Sequence, residues 1–100
     1  MANENIQNPS KYDSSTTAAL AVELDFGASV PTTVEVWVNS SVPTTFTISG
    51  SRNGTDWRDT ASIVLAAPGE DSRAFDNAYR YVRVETTDVG NHEAEIVGAR

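Results

Sequence analysis

The stretch Ser49–Thr60, SGSRNGTDWRDT, gathers more chemistry-bearing side chains than any other part of the chain. Asn53, Asp56 and Asp59 place oxygen atoms around one turn, the ligand type that calcium takes, although their spacing matches no EF-hand loop. A second acidic group, Glu70, Asp71 and Asp76, sits around a later turn. Asn53-Gly54-Thr55 is a glycosylation sequon, and Asn39-Ser40-Ser41 is another. Trp57 offers a flat apolar ring. Asn-Gly is also an ordinary hairpin signal, because both residues tolerate the positive φ of a tight turn. The alternating segments on either side make a hairpin the first expectation, with Trp57 opening its second strand.

The rest of the catalytic inventory is thin. The chain has one histidine and no cysteine, and Lys11 is its one lysine. A Ser-His-Asp arrangement would have to use His92, yet no G-x-S-x-G stands anywhere to activate a serine. In His92-Glu93-Ala94-Glu95, strand alternation puts His92 and Ala94 on one face and both glutamates on the other. That separation argues against a metal site built from these residues and for a structural histidine. No phosphate loop and no dinucleotide fingerprint is present. Without cysteine there are no disulfides and no zinc-thiolate sites. The expectation is a protein that is not an enzyme, without catalytic residues or an organic cofactor, with calcium the one metal worth weighing.

The elements that must position these residues follow a period of two. ALAVELDF puts Ala18, Leu20, Val22, Leu24 and Phe26 on one face; TVEVWVN turns Val34, Val36 and Val38 inward and Trp37 outward. TTFTISGS buries Phe46 and Ile48, and WRDTASIVL buries Ile63 and Leu65. RAFD reads as a short strand. YRYVRVETT buries Val82 and Val84 and shows Tyr81, Arg83 and Glu85, and HEAEIVGA buries Ala94 and Ile96. Strict alternation over short runs split by Gly, Pro, Asn and Asp predicts half-buried antiparallel strands. The fold expected is an all-β antiparallel sandwich, jelly-roll-like, of seven or eight strands. Residues 1–17 are polar and aperiodic, so they read as an extended N-terminal arm ahead of a sandwich domain over 18–100.

One hundred residues make one domain. The first residues lack the basic start and apolar run of a signal peptide, and nothing approaches the ~20 apolar residues of a membrane-spanning helix. Fourteen acids face seven bases for a net charge of −7, and six of the seven bases are arginine. Phosphate binding needs a basic face, so nucleic acid is not an expected partner. A carboxylate-rich, lysine-poor balance is similar to the surfaces of salt-adapted proteins.

The order TISGSRNGTDWRDTASI, a loop, then YRYVRVET resembles discoidin-like and galactose-binding-like β-sandwich modules over about Phe46–Thr86. This chain is shorter than such modules and has no evident aromatic platform on its loops. The NGTDW…RYVRV unit also resembles small capsid-decoration, turret and tail proteins of tailed viruses, including viruses of haloarchaea. That second resemblance implies a virion structural protein, assembled in the host cytoplasm and carried on the particle surface. It would bind capsid or tail proteins as a homo-oligomer, with a trimer the expected state and no membrane partner. The first implies a carbohydrate-binding or host-adhesion module, with a glycan as partner. Candidate contact residues under either reading are Trp37, Trp57, Tyr79, Tyr81, Arg80 and Arg83. The virion role is the leading expectation.

Overall fold

The computed structural model describes residues 9–99, and Met1–Asn8 of the expected arm lie outside that range. Six strands follow one another: β1 (Ser10–Asp25), β2 (Thr33–Ser40), β3 (Thr44–Ser51), β4 (Arg58–Leu65), β5 (Gly69–Asp76) and β6 (Tyr81–Ala99). Every pairing is antiparallel.

The two long strands organise the molecule. The first half of β6 lies between β1 and β3, with Val84 opposite Val22 and Ile48. Its second half lies between β1 and β2, with Ile96 opposite Lys11 and Val36. β4 extends the sheet beyond β3, and β5 extends it beyond β2. One continuous sheet is thereby folded into two layers, β4-β3-β6-β1 and β5-β2-β6-β1. Six strands thus supply eight strand segments, which is the antiparallel sandwich that the alternation predicts.

The crease has local causes. In β1 the register shifts on both sides of Ala18, and Thr17 takes φ 54°. A β-branched residue enters the left-handed region only when its surroundings hold it there. Here the Thr17 amide donates to Asn91 Oδ1 at 3.1 Å. In β6 the matching corner carries Gly90, where a Cβ would stand 2.8 Å from the Val42 side chain. The run Asp88-Val89-Gly90-Asn91 has the composition of a turn, yet the strand bends there and continues. Ser10–Thr17, read as part of the arm, is extended and pairs with the second half of β6.

The inward faces meet in one core. Val34, Val36, Val38, Ala94 and Ile96 come from one layer; Leu20, Val22, Phe46, Ile48, Ile63, Leu65, Val82 and Val84 come from the other, and Phe26 closes the end. Burying each of the larger side chains contributes about 1.5–3 kcal/mol. The alternation in the sequence therefore records this interior, except at Ala18, which was expected to face inward and which the β1 register shifts leave exposed.

At the crease the interior is polar but paired. His92 is 1% exposed and meets Phe46 edge-on at 5.7 Å. Its Nε2 donates to the Asp88 carbonyl at 2.7 Å, since a carbonyl can only accept, and Nδ1 stands 2.9 Å from Ser40 Oγ. Thr44 contacts Thr86 and donates to Asp88 Oδ2 at 2.6 Å. A buried polar group costs stability only when unpaired, so these contacts explain how a lean core tolerates a histidine.

Candidate functional site

The far end of the sandwich from His92 is built by three connections: β1–β2, β3–β4 and β5–β6. Asn77 ties two of them together. Its amide donates to the carbonyls of Pro31 at 2.9 Å and Tyr79 at 3.0 Å, while its Oδ1 accepts from the Tyr79 amide at 3.2 Å. Asp25 makes the next tie. It accepts the Gly27 amide at 2.8 Å and a two-point bond from Arg80, Nε at 2.8 Å and Nη2 at 3.1 Å. The Arg80 guanidinium, then the Gly27 amide, hold the Asp25 carboxyl below its ordinary value.

The β3–β4 connection is a hairpin, with a loop longer than the tight two-residue Asn-Gly turn that the sequence suggested. Arg52–Trp57 separate the strands. Ser51 Oγ accepts the Gly54 amide at 2.9 Å, and Asn53 Oδ1 accepts the amides of Thr55 and Asp56, each at 2.8 Å. Gly54 supplies φ 79°. Such short side-chain-to-backbone bonds replace the strand ladder inside a turn.

Trp57 leaves this loop over the outer face of the first layer. Arg83 lies on its ring with Cζ 4.2 Å from the centroid, and Tyr81 meets it edge-on at 6.5 Å. Arg80 stands 5.0 Å over Tyr81, and Arg52 5.9 Å over Tyr79. Tyr79 lies against β3 because Gly50 has no side chain, and a Cβ there would fall 2.3 Å from the Tyr79 ring. Cation–π and edge-on aromatic contacts of this sort contribute about 0.5–1.5 kcal/mol each. The result is a fixed surface of alternating rings and guanidinium groups.

Arg52, Asn53, Asp56, Trp57, Arg58 and Tyr79 enclose an open cleft of about 730 Å³ beside that surface. Arg80 is paired with Asp25, and Arg83 approaches Glu85 at 3.6 Å. Among the described residues, neither Arg52 nor Arg58 has a carboxylate within 4 Å. The cleft offers donors, an acceptor at Asp56 and two aromatic walls. Such groups can hydrogen-bond and stack; the two opposed carboxylates of glycoside hydrolysis are not among the lining residues, which hold one carboxylate, Asp56.

Five of the six contact residues expected from the sequence, Trp57, Tyr79, Tyr81, Arg80 and Arg83, converge at this end. Trp37 does not. It stands half-buried on the outer face of the second layer, bonded through Nε1 to Glu70 at 3.4 Å, beside a shallow hollow with Glu35, Ser72 and Glu95. Asn53 and Asp56, considered for calcium, bond each other at 3.0 Å, and Asp59 accepts from Ser49 at 2.9 Å. Asn53 is exposed at the loop. Asn39 is half-buried in β2, its amide donating to Glu93 at 2.9 Å. Glu93 also accepts from Tyr12 at 2.5 Å; the Tyr12 bond, then the Asn39 bond, lower the Glu93 pKa, and the bond to Glu93 raises that of Tyr12. Arg52 and Arg58 were missed as contact residues. Their signal was their position flanking NGTDW, in an acidic chain with few bases.

No protein-family profile matches this chain, and no curated protein matches it. Solved structures do. The PBSX exported protein XepA aligns with TM-score 0.65 and 22% identity over 95% of this chain and 36% of its own length. Chitosan-binding module 1 of a chitosanase/glucanase from Paenibacillus sp. IK-5 aligns with TM-score 0.59 and 20% identity, covering 87% of this chain and 75% of that one. PirA aligns with TM-score 0.54 and 14% identity, covering 90% and 93%. The chain thus spans about a third of XepA. At these identities the likeness is one of fold: the chain is an all-β antiparallel sandwich.

Proposed function

We propose that this chain is a non-enzymatic binding module and, in its setting, a virion structural protein: a decoration, turret or tail component that works by adhesion. The observation that carries the binding role is the arginine–aromatic cleft, rigidly framed by Asn77, Asp25 and Gly50 and open to a partner. Aromatic and arginine side chains are the types that concentrate binding energy at interfaces. The virion setting rests on the NGTDW…RYVRV resemblance and on the acidic, lysine-poor, cysteine-free composition, which suits a particle in high salt. The likeness of fold to XepA supports it. On the particle the chain forms a homo-oligomer, a trimer in the first instance, so that association adds to the stability of a small core. Immunogold labelling of particles from cultures that produce the chain tests this setting. Label on the particle surface is expected. A chain found only as a free monomer, absent from particles, overturns it.

A second reading has its own observation. Trp57 and Tyr79 are aromatic walls beside the hydrogen-bonding groups of Asn53, Asp56, Arg52 and Arg58, the lining that a carbohydrate-binding module uses to hold a sugar ring and its hydroxyls. The structural likeness to a chitosan-binding module supports it. An oligosaccharide array tests it: binding that Trp57→Ala removes is expected, and an array without a binder overturns it.

A further inference from the structure

We propose that the saccharide held by the cleft is an acidic one, with a carboxylate on the ring, a step that rests on the carbohydrate reading above. The argument is one of charge. The chain carries −7 overall, yet four of its seven bases, Arg52, Arg58, Arg80 and Arg83, gather at this one end. Two of the four are spent inside the protein: Arg80 on Asp25, and Arg83 on the Trp57 ring and Glu85. Arg52 and Arg58 line the cleft with no carboxylate within 4 Å among the described residues.

Asp56 is the single carboxylate in the lining, and it is bonded to the Asn53 amide at 3.0 Å. The lining therefore bears two positive charges against one negative charge. A guanidinium presents a planar fork of donors that matches a carboxylate at two points, and charge-assisted bonds of this kind are about twice as strong as neutral ones.

Asp56 also sorts among anions. Its carboxylate can accept the hydroxyl hydrogens that every ring of a sugar acid carries and that ionised Asp and Glu side chains lack. A polyanion with dense charge would meet repulsion from Asp56 and from the net charge of the chain. A sugar acid brings one charge per ring, and its ring faces suit Trp57 and Tyr79. A cationic saccharide such as chitosan has the wrong sign for Arg52 and Arg58.

Calorimetric titration of the full chain with the trisaccharide of galacturonic acid, and with its carboxyl-reduced galactose counterpart, tests this. The acid form is expected to bind roughly tenfold more tightly at low salt, a difference of about 1.4 kcal/mol, and the preference should shrink as salt rises. Arg52→Gln with Arg58→Gln should bring the acid form to the level of the neutral one, while Trp57→Ala weakens both. Thermal melts of each variant establish that the fold is kept. Equal binding of the two forms overturns the acidic preference and leaves the carbohydrate reading standing. Binding of neither form, extended to neutral and acidic arrays, overturns the carbohydrate reading itself. An acid preference that survives Arg52→Gln/Arg58→Gln overturns the assignment to this cleft.

Discussion

The two tryptophans stand on opposite layers and in opposite electrostatic company. Trp37 projects from the middle of β2, with Ser72 on one neighbouring strand and Glu95 on the other, and bonds Glu70. Trp57 leaves a loop and is covered by Arg83, with Arg52 and Arg58 beside it. Both are half-buried. One ring belongs to a regular, acidic sheet face; the other organises a cleft. The difference teaches that an outward aromatic acquires a role from its cross-strand partners and framing loops, and that residue type alone does not assign it.

The largest effect expected from breaking this contrast comes from Gly50, which lies under the Tyr79 ring. Gly50→Val places branched atoms where the Tyr79 ring lies, since even a Cβ would stand 2.3 Å from it. β3 is paired on both sides, so the ring must move. Overpacking of this sort costs about 1–3 kcal/mol. Chemical denaturation should register the loss, and saccharide binding should fall with it. The environment of Trp37 should stay unchanged, so the fluorescence of a Trp57→Phe background should report a native-like second layer. A shifted Trp37 spectrum would mean that the two layers are coupled more tightly than their contacts indicate.

Next in size is the direct comparison. Trp57→Ala removes the ring that Arg83 and Tyr81 pack against and should cost about 2 kcal/mol, below the range for a fully buried tryptophan because the ring is half-exposed. Trp37→Ala should cost about 1 kcal/mol, since its polar contact is long and its face is open. The midpoints of urea transitions at constant slope decide the order. Equal losses would erase the distinction between a framing ring and a sheet-face ring.

How much of this could be read from the sequence divides along the same line. The faces were legible: Val34, Val36 and Val38 against Trp37, and Val82 and Val84 against Tyr81 and Arg83, follow from a period of two. The hairpin around Asn53-Gly54 was legible as a hairpin. Its six-residue loop was not, because Ser51 and Asn53 side chains compete with the ladder. The continuity of β1 and β6 through the crease was hidden as well. Thr17 and Gly90 read locally as ordinary breaks, and only the pairing shows each strand to be long: β1 follows β6 on both sides of the crease, and β6 changes its other neighbour there from β3 to β2. For the cleft, Trp57 and Tyr79 stood out by type. That Arg80 is taken by Asp25 while Arg52 and Arg58 remain unpaired among the described residues depends on loops far apart in sequence. Gly50 gave no hint that it makes room for Tyr79.

A double-mutant cycle sharpens the contrast from the charge side. Arg83→Met keeps the apolar stem over Trp57 and removes the cation. Coupling between Arg83→Met and Trp57→Leu of about 0.5–1 kcal/mol is expected for a partly exposed cation–π pair. The same cycle between Trp37→Leu and Glu70→Gln should give a smaller coupling, given the 3.4 Å bond. Larger coupling at Trp37 would reverse the assignment of the two rings.

The smallest effect is a pH dependence confined to the cleft's frame. Asp25 accepts Arg80 and Gly27, which lower its folded-state pKa relative to the unfolded carboxyl near 3.9. A carboxylate with a depressed folded pKa stabilises the fold at pH above its unfolded value, and that stability is lost as the pH falls through the folded value. Asp25→Asn should therefore be slightly less stable than the parent chain at pH 7. The gap should stay constant down to about pH 4, where the unfolded carboxyl begins to protonate, and then close under more acidic conditions. The pair is exposed, so solvent screens it, and added salt should narrow the gap at pH 7. Glu93 is lowered in the same direction by Tyr12 and Asn39 at the other end, so acid weakens both ends together. Asp25→Asn isolates the cleft's share. If its gap from the parent persisted unchanged in acid, the Arg80 bond would not be what holds the β1–β2 and β5–β6 connections together, and Asn77 would carry that frame alone.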